Sequence, residues 1–555
     1  MKGVVDFYPK LLTSLKGYSR ETFFGDLTGG IIVSIVALPL AIAFGIASGL
    51  TPENGLITAI IGGLLVSILG GSSVQVGGPT GSFIVIVFGI VQTYGIDGLM
   101  VATCMAGFIM ILMGLFKAGS VIKFIPYPII IGYTAGVAVT IFTTQIQDLL
   151  GLTLATDSAD FIGSWASYID AFDTITLSSV VVSIVTIAII VLSPRVSRKI
   201  PGSLVAIVFV TVVSYLLNRY AGVNDIPTIG SISGSIPAPT MIPINLETVR
   251  LLFPYAVTLA ILGSIESLLS AVVTDGVTGD THNSNTELIG QGVANIVSPL
   301  FGGMPVTGAV ARTMTNINNG GKTPISGIIH SLSLLLILLF LGPLTQHIPM
   351  ACLGGILVIV SYNMSGWRTI KSMLKGPRSD VFILFVTFLL TVIFDLTVAI
   401  FVGMIMAMVL FMRRVANVTT VSVTTDKLDL SNDGEIHHDE VLDVPEGVEV
   451  YEIDGPFFFG VANKFSDVMK NIGSHAEVRV IRMRKVSFMD STGIHNLEML
   501  VRSSLAEGTQ VVLSGVNDSV RKTLLNSSFD KLVPIESICP DITVALDKAR
   551  EFINK

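Results

Sequence analysis

The sequence predicts a polytopic α-helical membrane protein with a small α/β domain at its C-terminal end. Of its 555 residues, 51% are hydrophobic and only 13% are charged, whereas about a quarter of the residues in a soluble protein are charged. Apolar segments long enough to span a bilayer follow one another until charged residues become frequent near residue 417. We therefore expect four parts: a cytoplasmic N-terminal segment (1–26), a transmembrane domain (27–416), a linker (417–446) and an α/β domain (447–555).

About fourteen apolar segments can be assigned as membrane spans. Most approach the length that a helix needs to cross a bilayer, about 17–25 residues, and two are short or interrupted by Gly and Pro. The predicted spans are 27–50, 55–70, 74–93, 96–116, 124–149, 176–193, 202–218, 248–273, 286–301, 305–318, 324–343, 346–362, 379–396 and 397–412. An even number of spans places both chain termini on the same side of the membrane.

The distribution of lysine and arginine indicates that this side is the cytoplasm. Basic residues precede the first span and follow the fourth, sixth, twelfth and last spans, which all fall on one side, as the positive-inside rule requires. They are Lys2, Lys10, Lys16, Arg20, Lys117, Lys123, Arg195, Arg198, Lys199, Arg368, Lys371, Lys375, Arg378, Arg413 and Arg414. The loop after the fifth span instead carries Asp157, Asp160, Asp170 and Asp173 without any Lys or Arg, which is typical of an outside loop.

The two interrupted segments occupy the third place in each set of seven spans. They are GGSSVQVGGPTGSFIVIVFG at 70–89 and FGGMPVTGAVARTMTNINNGG at 301–321. Matching interruptions in two halves indicate a 7+7 inverted repeat with a binding site near the middle of the membrane. Pro79 and Pro305 can each end a short strand and start a half-helix, so that both helix N-termini point to one place. The alternative is that these glycines and prolines serve only for packing and kinks.

Two charged residues at membrane depth extend this prediction. Arg312 lies in the second interrupted segment, where a buried cation is costly without a partner or a function. Because a helix N-terminus also favours negative charge, the two together predict a site for an anion. Glu266 is the only carboxylate inside the eighth span and shares a helix face with Ser270. It can bind a cation, carry a proton or form a structural ion pair with Arg312.

Composition and motifs exclude several other functions. The net charge of −7 argues against a nucleic-acid partner. Nucleotide-binding loops, metal-ligand clusters and nucleophile–base sets are not found in the sequence, so we expect neither an enzyme nor a cofactor or bound metal. Cys104, Cys352 and Cys539 are too far apart in the sequence to indicate a disulfide framework. Membrane lipid is the expected surrounding of the apolar segments.

The C-terminal region alternates between strand and helix patterns. Val448 to Gly460, Val478 to Val486 and Gln510 to Gly515 are rich in β-branched residues and are predicted strands. Ser491 to Leu505 and Val516 to Asn526 are predicted helices. This alternation is typical of a small α/β domain.

Several motifs resemble those of the SulP (sulfate permease) family of anion transporters, particularly its bacterial members. The most specific is the pattern N-S-N-x-E-L-x-G-Q-G-x-x-N from Asn283 to Asn295. The segments around Pro39, at 77–83 and 301–316, and the DSTG at 490–493 follow in the family's order. The resemblance covers nearly the whole chain. It implies a uracil permease-like fold with seven plus seven spans, a cytoplasmic STAS domain, elevator-like movement, homodimers and a place in the bacterial inner (plasma) membrane.

The resemblance also assigns substrate-binding residues at the starts of the third-span and tenth-span half-helices. These residues are Pro79, Thr80, Gly81, Ala309, Val310, Ala311 and Arg312.

Further roles follow from the same resemblance. Glu266 and Ser270 match the position where some members hold Na⁺ with an aspartate and a threonine. The longer acid and the serine of this chain leave H⁺ and Na⁺ both open as the coupling cation. Ser491 and Thr492 match a turn at which soluble relatives are phosphorylated. They are either regulatory sites or N-caps of the helix that follows.

The leading interpretation is a secondary active transporter of a small anion, coupled to H⁺ or Na⁺. Sulfate, bicarbonate and C4-dicarboxylates all remain candidates, and Arg312 favours sulfate or a dicarboxylate. An anion channel on the same fold and a membrane-tethered STAS signalling protein are the alternatives. A nucleobase permease fits poorly, because a neutral ring does not require an arginine.

Overall fold

The structure is a computed structural model that describes residues 7–119, 126–154, 161–196, 201–221, 226–230, 232, 234–241, 245–394, 396–425, 427–429, 441–461 and 476–554. The chain divides into two compact units, Met1–Ile405 and Met406–Lys555. Some loop residues that support the predicted orientation lie outside the described residues: Lys2, Lys123, Asp157, Asp160, Arg198 and Lys199.

The first unit consists of helices and two very short strands. The helices are α1 (Lys10–Ser14), α2 (Arg20–Ala47), α3 (Pro52–Ile57), α4 (Gly63–Leu69), α5 (Ile84–Leu115), α6 (Tyr127–Leu150), α7 (Phe161–Asp170), α8 (Leu177–Val196), α9 (Gly202–Ala221), α10 (Leu246–Thr278), α11 (Ser284–Leu300), α12 (Val310–Asn318), α13 (Pro324–Thr345), α14 (Met350–Met364), α15 (Trp367–Met373), α16 (Arg378–Ile393) and α17 (Leu396–Val418), which continues into the second unit. The strands are β1 (Gly77–Gly78) and β2 (Thr307–Gly308).

These elements confirm the helical membrane fold that the composition predicts. Within the described residues, nine helices are long and apolar enough to cross a membrane. Each predicted span corresponds in order to a helix, to joined helices or to a strand followed by a helix. The count of fourteen spans itself stays a prediction.

Where helix boundaries differ from the predicted spans, the causes are local. α2 begins at Arg20, inside the predicted N-terminal segment, because Ser19 accepts a hydrogen bond from the Thr22 amide at 3.1 Å and caps the helix. α5 joins the second half of the third predicted span to the fourth, and Gly95 separates the two with a φ of 72°. Asn283 caps α11 through the amides of Asn285 and Thr286.

The helices of the first unit pack in two groups. In one group, α5 packs against α10 and α11, and α2 packs against α12 and α13. In the other, α6 packs against α14 and α16, and α8 packs against α9 and α14. Contacts within each group are far more extensive than those that link α2 or α5 to α6. The two strands β1 and β2 belong to the first group, since α4 and α10 contact them.

The second unit is a mixed sheet covered by helices. Its strands are β3 (Thr420–Thr424), β4 (Lys427–Asp429), β5 (Val441–Asp443), β6 (Val448–Asp454), β7 (Val478–Arg482), β8 (Gln510–Ser514) and β9 (Ile538–Cys539). Its helices, besides the end of α17, are α18 (Ser491–Ala506), α19 (Asp518–Asn526) and α20 (Ile542–Ile553). The main sheet has the order β3-β6-β7-β8-β9, and only β3 runs antiparallel to its neighbour.

Alternation along the strands places two apolar clusters on opposite faces of this sheet. Ile481 belongs to the cluster that includes Leu497 of α18, and the adjacent Val480 belongs to the cluster that includes Leu546 of α20. The predicted strands and helices of the α/β domain are all present. The predicted linker 417–446 is corrected in part, because β3 pairs with β6 and is an edge strand of the sheet. Its short Thr/Val alternation is too brief to identify a strand without the neighbouring strand.

Candidate functional site: the meeting point of two interrupted spans

The two interrupted segments meet as a pair of antiparallel strands. Gly77 pairs with Gly308 and Gly78 pairs with Thr307, so both short strands are present. The expectation that Pro305 starts the second half-helix is wrong, because Pro305 precedes β2 and α12 begins at Val310. After β1, the chain passes through Pro79 and Thr80 into a 3₁₀ turn that leads into α5; after β2, Ala309 begins α12. Neither Thr80 nor Ala309 caps its helix with a side-chain hydrogen bond. Two helix N-termini with uncapped amides therefore start from adjacent points of one strand pair.

Side chains from α11 and α12 hold these strands in place. Asn295 receives a hydrogen bond from the Val306 amide at 3.0 Å and donates one to the Val306 carbonyl at 2.8 Å. Asn316 donates to the carbonyl of Val74 at 3.0 Å. Thr307 donates to the carbonyl of Gly263 in α10 at 2.9 Å. Asn295 thus fixes the residue before β2, Asn316 fixes the segment that leads into β1, and Thr307 ties β2 to α10.

Arg312 connects the two half-helices. Its side chain is only 3% exposed, and its Nη2 donates to the carbonyl oxygen of Pro79 at 2.8 Å. Its Nη1 is buried without a hydrogen-bond partner. A β-carbon on Gly78 would lie 2.2 Å from this Nη1, so only glycine leaves room for the guanidinium. The cation therefore lies beneath the turn that starts the first half-helix, held by one bond and by close packing.

Glu266 also lies beside this turn. The hydroxyl of Tyr133 in α6 donates to its Oε1 at 3.2 Å, and the hydroxyls of Thr80 and Ser82 face the carboxylate. Among the described ion pairs within 4.0 Å, none joins Glu266 to Arg312. The structural ion pair considered from the sequence is therefore not formed in this conformation. The turn at 79–82 therefore contacts both a cation, through Pro79, and a carboxylate, through Thr80 and Ser82.

Ser270 does not reach the carboxylate that it was expected to accompany. Its hydroxyl donates to the Thr313 hydroxyl at 3.4 Å. Thr313 in turn accepts from the Val76 amide at 3.2 Å and donates to the Ala309 carbonyl at 2.9 Å. Ser270 therefore supports the start of α12.

The other predicted binding residues differ in exposure. Pro79 and Gly81 are buried, Thr80, Ala309 and Val310 are half-buried, and Ala311 is exposed. Gly81 is closely packed, since a β-carbon there would lie 2.9 Å from Sδ of Met364 in α14. All of these residues belong to one region around the two helix starts.

A second buried carboxylate, Glu287, was not predicted from the sequence. It is 0% exposed and accepts five hydrogen bonds, from the Gly71 amide (2.7 Å), the Ser72 amide (3.2 Å), Gln75 Nε2 (2.8 Å), the Ser267 hydroxyl (3.1 Å) and Gln291 Nε2 (3.0 Å). These donors satisfy the negative charge. Glu287 therefore joins α10 and α11 to the segment that leads into β1, and its role is structural.

The N-cap of α18 is Asp490, and not Ser491 or Thr492 as one alternative from the sequence held. The carboxylate of Asp490 accepts from the Gly493 amide at 2.7 Å and caps the helix. The idea that Ser491 or Thr492 is the cap is therefore wrong, because the aspartate immediately before them takes that position. Both hydroxyl residues are exposed in the first turn of α18, and a regulatory role for them stays a prediction.

Comparisons with known proteins agree over nearly the whole chain. A family model described as the sulfate permease family matches residues 23–387, and one described as the STAS domain matches residues 441–542. YvdB of Bacillus subtilis is 38% identical over 92% of this chain and 94% of its own. The bicarbonate transporter BicA of Picosynechococcus sp. is 32% identical over 92% of each chain. The solved structure of the murine Slc26a9 anion transporter in the inward-facing state has a TM-score of 0.87, covers 99% of this chain and 96% of that chain, and is 19% identical, so it shares the fold.

Proposed function

The chain belongs to the sulfate permease family, and on that premise we propose that it is a secondary active transporter of small anions. The observation that carries the proposal is the meeting of two uncapped helix N-termini above the buried guanidinium of Arg312. Backbone amides at a helix start bind anions directly, and the helix dipoles add to the attraction. An anion would lie between Thr80–Gly81 and Ala309–Ala311.

Arg312 acts in this proposal mainly through its charge. Its Nη2 is committed to Pro79 and its Nη1 is covered by Gly78, so in this conformation neither faces the proposed anion directly. A positive charge in a site that excludes water acts over several ångströms. It also fixes the carbonyl of Pro79, and so the position of the amides that follow.

The substrate class follows from the two sets of donors. Two helix starts suit an anion whose oxygen atoms face both of them, such as tetrahedral sulfate or a C4-dicarboxylate like succinate. Bicarbonate stays a candidate, since the related BicA is a bicarbonate transporter. With a cation under the site, a doubly charged anion gains more electrostatic energy than a singly charged one.

Glu266 is the proposed coupling residue. It shares the 79–82 turn with the anion site and holds a hydrogen bond from Tyr133, which belongs to the other helix group. Either H⁺ or Na⁺ on this carboxylate would remove a negative charge beside the arriving anion, so cation and anion binding would favour each other. Ser270 would act indirectly, through Thr313 and the start of α12.

The division into two helix groups supports an elevator-type movement. The strand pair and its anchoring helices form one group, and α6, α8, α9, α14 and α16 form the other. In this proposal the first group carries the anion across while the second stays in place. A homodimer in the bacterial inner membrane, with both termini and the STAS domain in the cytoplasm, completes the proposal.

The experiment is uptake of labelled succinate into proteoliposomes under an inward proton gradient, with sulfate and bicarbonate as competitors. We expect uptake to depend on the gradient in the wild-type chain. In Glu266→Gln the gradient should no longer stimulate uptake, because the neutral amide takes up no proton. Glu247→Gln is the matched control, since Glu247 is an exposed acid near the start of the same helix.

Each outcome of the uptake experiment has a definite meaning. If the proton gradient does not stimulate uptake but an inward Na⁺ gradient does, Na⁺ is the coupling ion. Failure of succinate, sulfate and bicarbonate to enter or to compete under either gradient contradicts the transporter proposal.

A further inference from the structure

A cavity of about 240 Å³ extends from the C-terminal end of α6 to Ile84 and Val85 at the start of α5. Its polar lining comes from α6, with Thr143, Thr144, Gln145, Gln147 and Asp148, and from α7, with Ser164, Ser167 and Tyr168. The apolar wall opposite includes Ile84 and Phe88 of α5. Basic residues predict that this end of α6 faces the outside. The volume corresponds to several water molecules, since one water occupies about 30 Å³ in the liquid.

Asp148 lies in an unfavourable place for a negative charge. It belongs to the last turn of α6, which ends at Leu150 and Gly151. Carbonyl groups without helical partners give this end a partial negative charge, and a carboxylate there is repelled unless a cation compensates it. Within the described part of the chain, Asp148 forms no hydrogen bond or ion pair. Asp148 is half-buried. Its Cβ packs closely against Gly354 of α14, where an added β-carbon would lie only 3.2 Å away, and this packing limits the movement of the Asp148 side chain.

A second group in the same wall also lacks a partner. The Thr143 side chain is 2% exposed, lines the cavity and has no hydrogen-bond partner for its hydroxyl. A buried hydroxyl without a partner is costly. Next to it, Thr144 accepts from Gln145 Nε2 at 3.0 Å and donates to the Ile141 carbonyl at 2.9 Å. The wall thus combines one uncompensated carboxylate with several neutral oxygen atoms.

We propose that this cavity binds a monovalent metal cation, with Asp148 as the charged ligand and the oxygens of Thr143, Thr144 and Gln145 as neutral ligands. Hard cations prefer carboxylate, hydroxyl and carbonyl oxygens. One carboxylate balances one positive charge, and the cavity leaves room for the waters that complete the coordination. The bound cation compensates both Asp148 and the carbonyl end of α6.

The site is separate from the coupling residue. Tyr133, which contacts Glu266, precedes Asp148 by fifteen residues on α6, or about 22 Å at 1.5 Å per residue. A cation here therefore does not neutralise Glu266 directly. The inference depends neither on which anion is transported nor on whether transport occurs.

The test measures cation-dependent thermal stability of the purified full chain. NaCl and KCl are titrated against choline chloride at constant ionic strength and pH. All variants carry Glu266→Gln, so that a cation at Glu266 adds nothing to the response. We expect Na⁺ or K⁺ to raise the Tm in a saturable way, because a ligand that binds only the folded state stabilises it.

Two substitutions examine the proposed ligands. Asp148→Asn should raise the half-saturating cation concentration by at least about tenfold, as expected for the loss of a charged ligand. Thr143→Val should raise the half-saturating cation concentration by a smaller factor. Because the Thr143 hydroxyl has no partner in the protein, its removal should not lower the Tm measured in choline chloride. Asp170→Asn is the control, since Asp170 is an exposed acid at the end of α7.

Two results would overturn the proposal. One is a Tm that responds to neither metal cation at any pH between 6 and 8. The other is a response that Asp148→Asn and Asp170→Asn change equally.

Discussion

Replacing Arg312 by glutamine is expected to lower the kcat/KM of anion uptake by about 15- to 100-fold, since a unit charge acting over roughly 6–10 Å at an effective dielectric of about 20 contributes about 1.7–2.8 kcal/mol and each 1.4 kcal/mol is tenfold. The substitution removes the buried charge and the Nη2 bond to Pro79 at 2.8 Å. The fold should survive, because the guanidinium already leaves its Nη1 without a partner. We therefore expect the Tm in detergent to stay the same or to rise. Initial uptake rates over a range of anion concentrations measure the effect.

Two further variants separate charge from position. Arg312→Lys keeps the charge without the planar donor set, so part of the uptake should remain. Gly78→Ala keeps the arginine, but its β-carbon would lie 2.2 Å from Nη1 and must displace the guanidinium. Uptake should therefore fall in Gly78→Ala as well. Arg250→Gln, at an exposed position of α10, is the control. If both Arg312→Gln and Gly78→Ala take up the anion at the wild-type rate, Arg312 does not contribute to transport.

Replacing Glu287 by glutamine is expected to destabilise the whole first unit. Three donors converge on Oε1 and two backbone amides on Oε2. The glutamine side chain has only one oxygen atom. Its NH₂ group would take the place of the other carboxylate oxygen and would face hydrogen-bond donors there. At least two buried donors then lose their acceptor, at a cost of about 1–3 kcal/mol each. Thermal unfolding and the yield of monodisperse protein in detergent measure the loss.

Glu266→Gln is the contrasting variant for this prediction. Glu266 is half-buried and accepts a long hydrogen bond from Tyr133 at 3.2 Å. Its neighbours are hydroxyl groups, which can accept from an amide as well as donate to it, so Glu266→Gln should leave the Tm nearly unchanged. A Glu287→Gln chain that folds like the wild type and loses only uptake would contradict the structural role. Glu287 would then be a second ion-binding residue.

The sequence predicts the central geometry because Gly and Pro interrupt apolar segments visibly. The strand pair of Gly77 and Gly308, the start of the first half-helix and the position of Arg312 all follow from such local signals. The cap of α11 is equally local, since the side chain of Asn283 accepts from amides only two and three positions away.

Contacts between distant residues could not be predicted in this way. Gln75 and Glu287 are 212 positions apart, and Tyr133 and Glu266 are 133 apart. A glutamate in the first turn of a helix has the same local pattern whether it is exposed or buried under five donors. Ser270 shows the converse limit: helix periodicity places it on the face of Glu266, but its hydroxyl bonds to Thr313 of another helix.

The most direct test of the anion site is substrate protection of a cysteine at Ala311, which is exposed in the first turn of α12. The full chain carries Cys104→Ser, since Cys104 is partly exposed while the other two cysteines are buried. Thr315→Cys, one turn further along α12, is the control position. We predict that the anion that competes best for uptake slows thiol labelling of Ala311→Cys and leaves Thr315→Cys unchanged. If a saturating transported anion leaves the labelling of Ala311→Cys unchanged, or slows both positions equally, the anion does not bind at the start of α12.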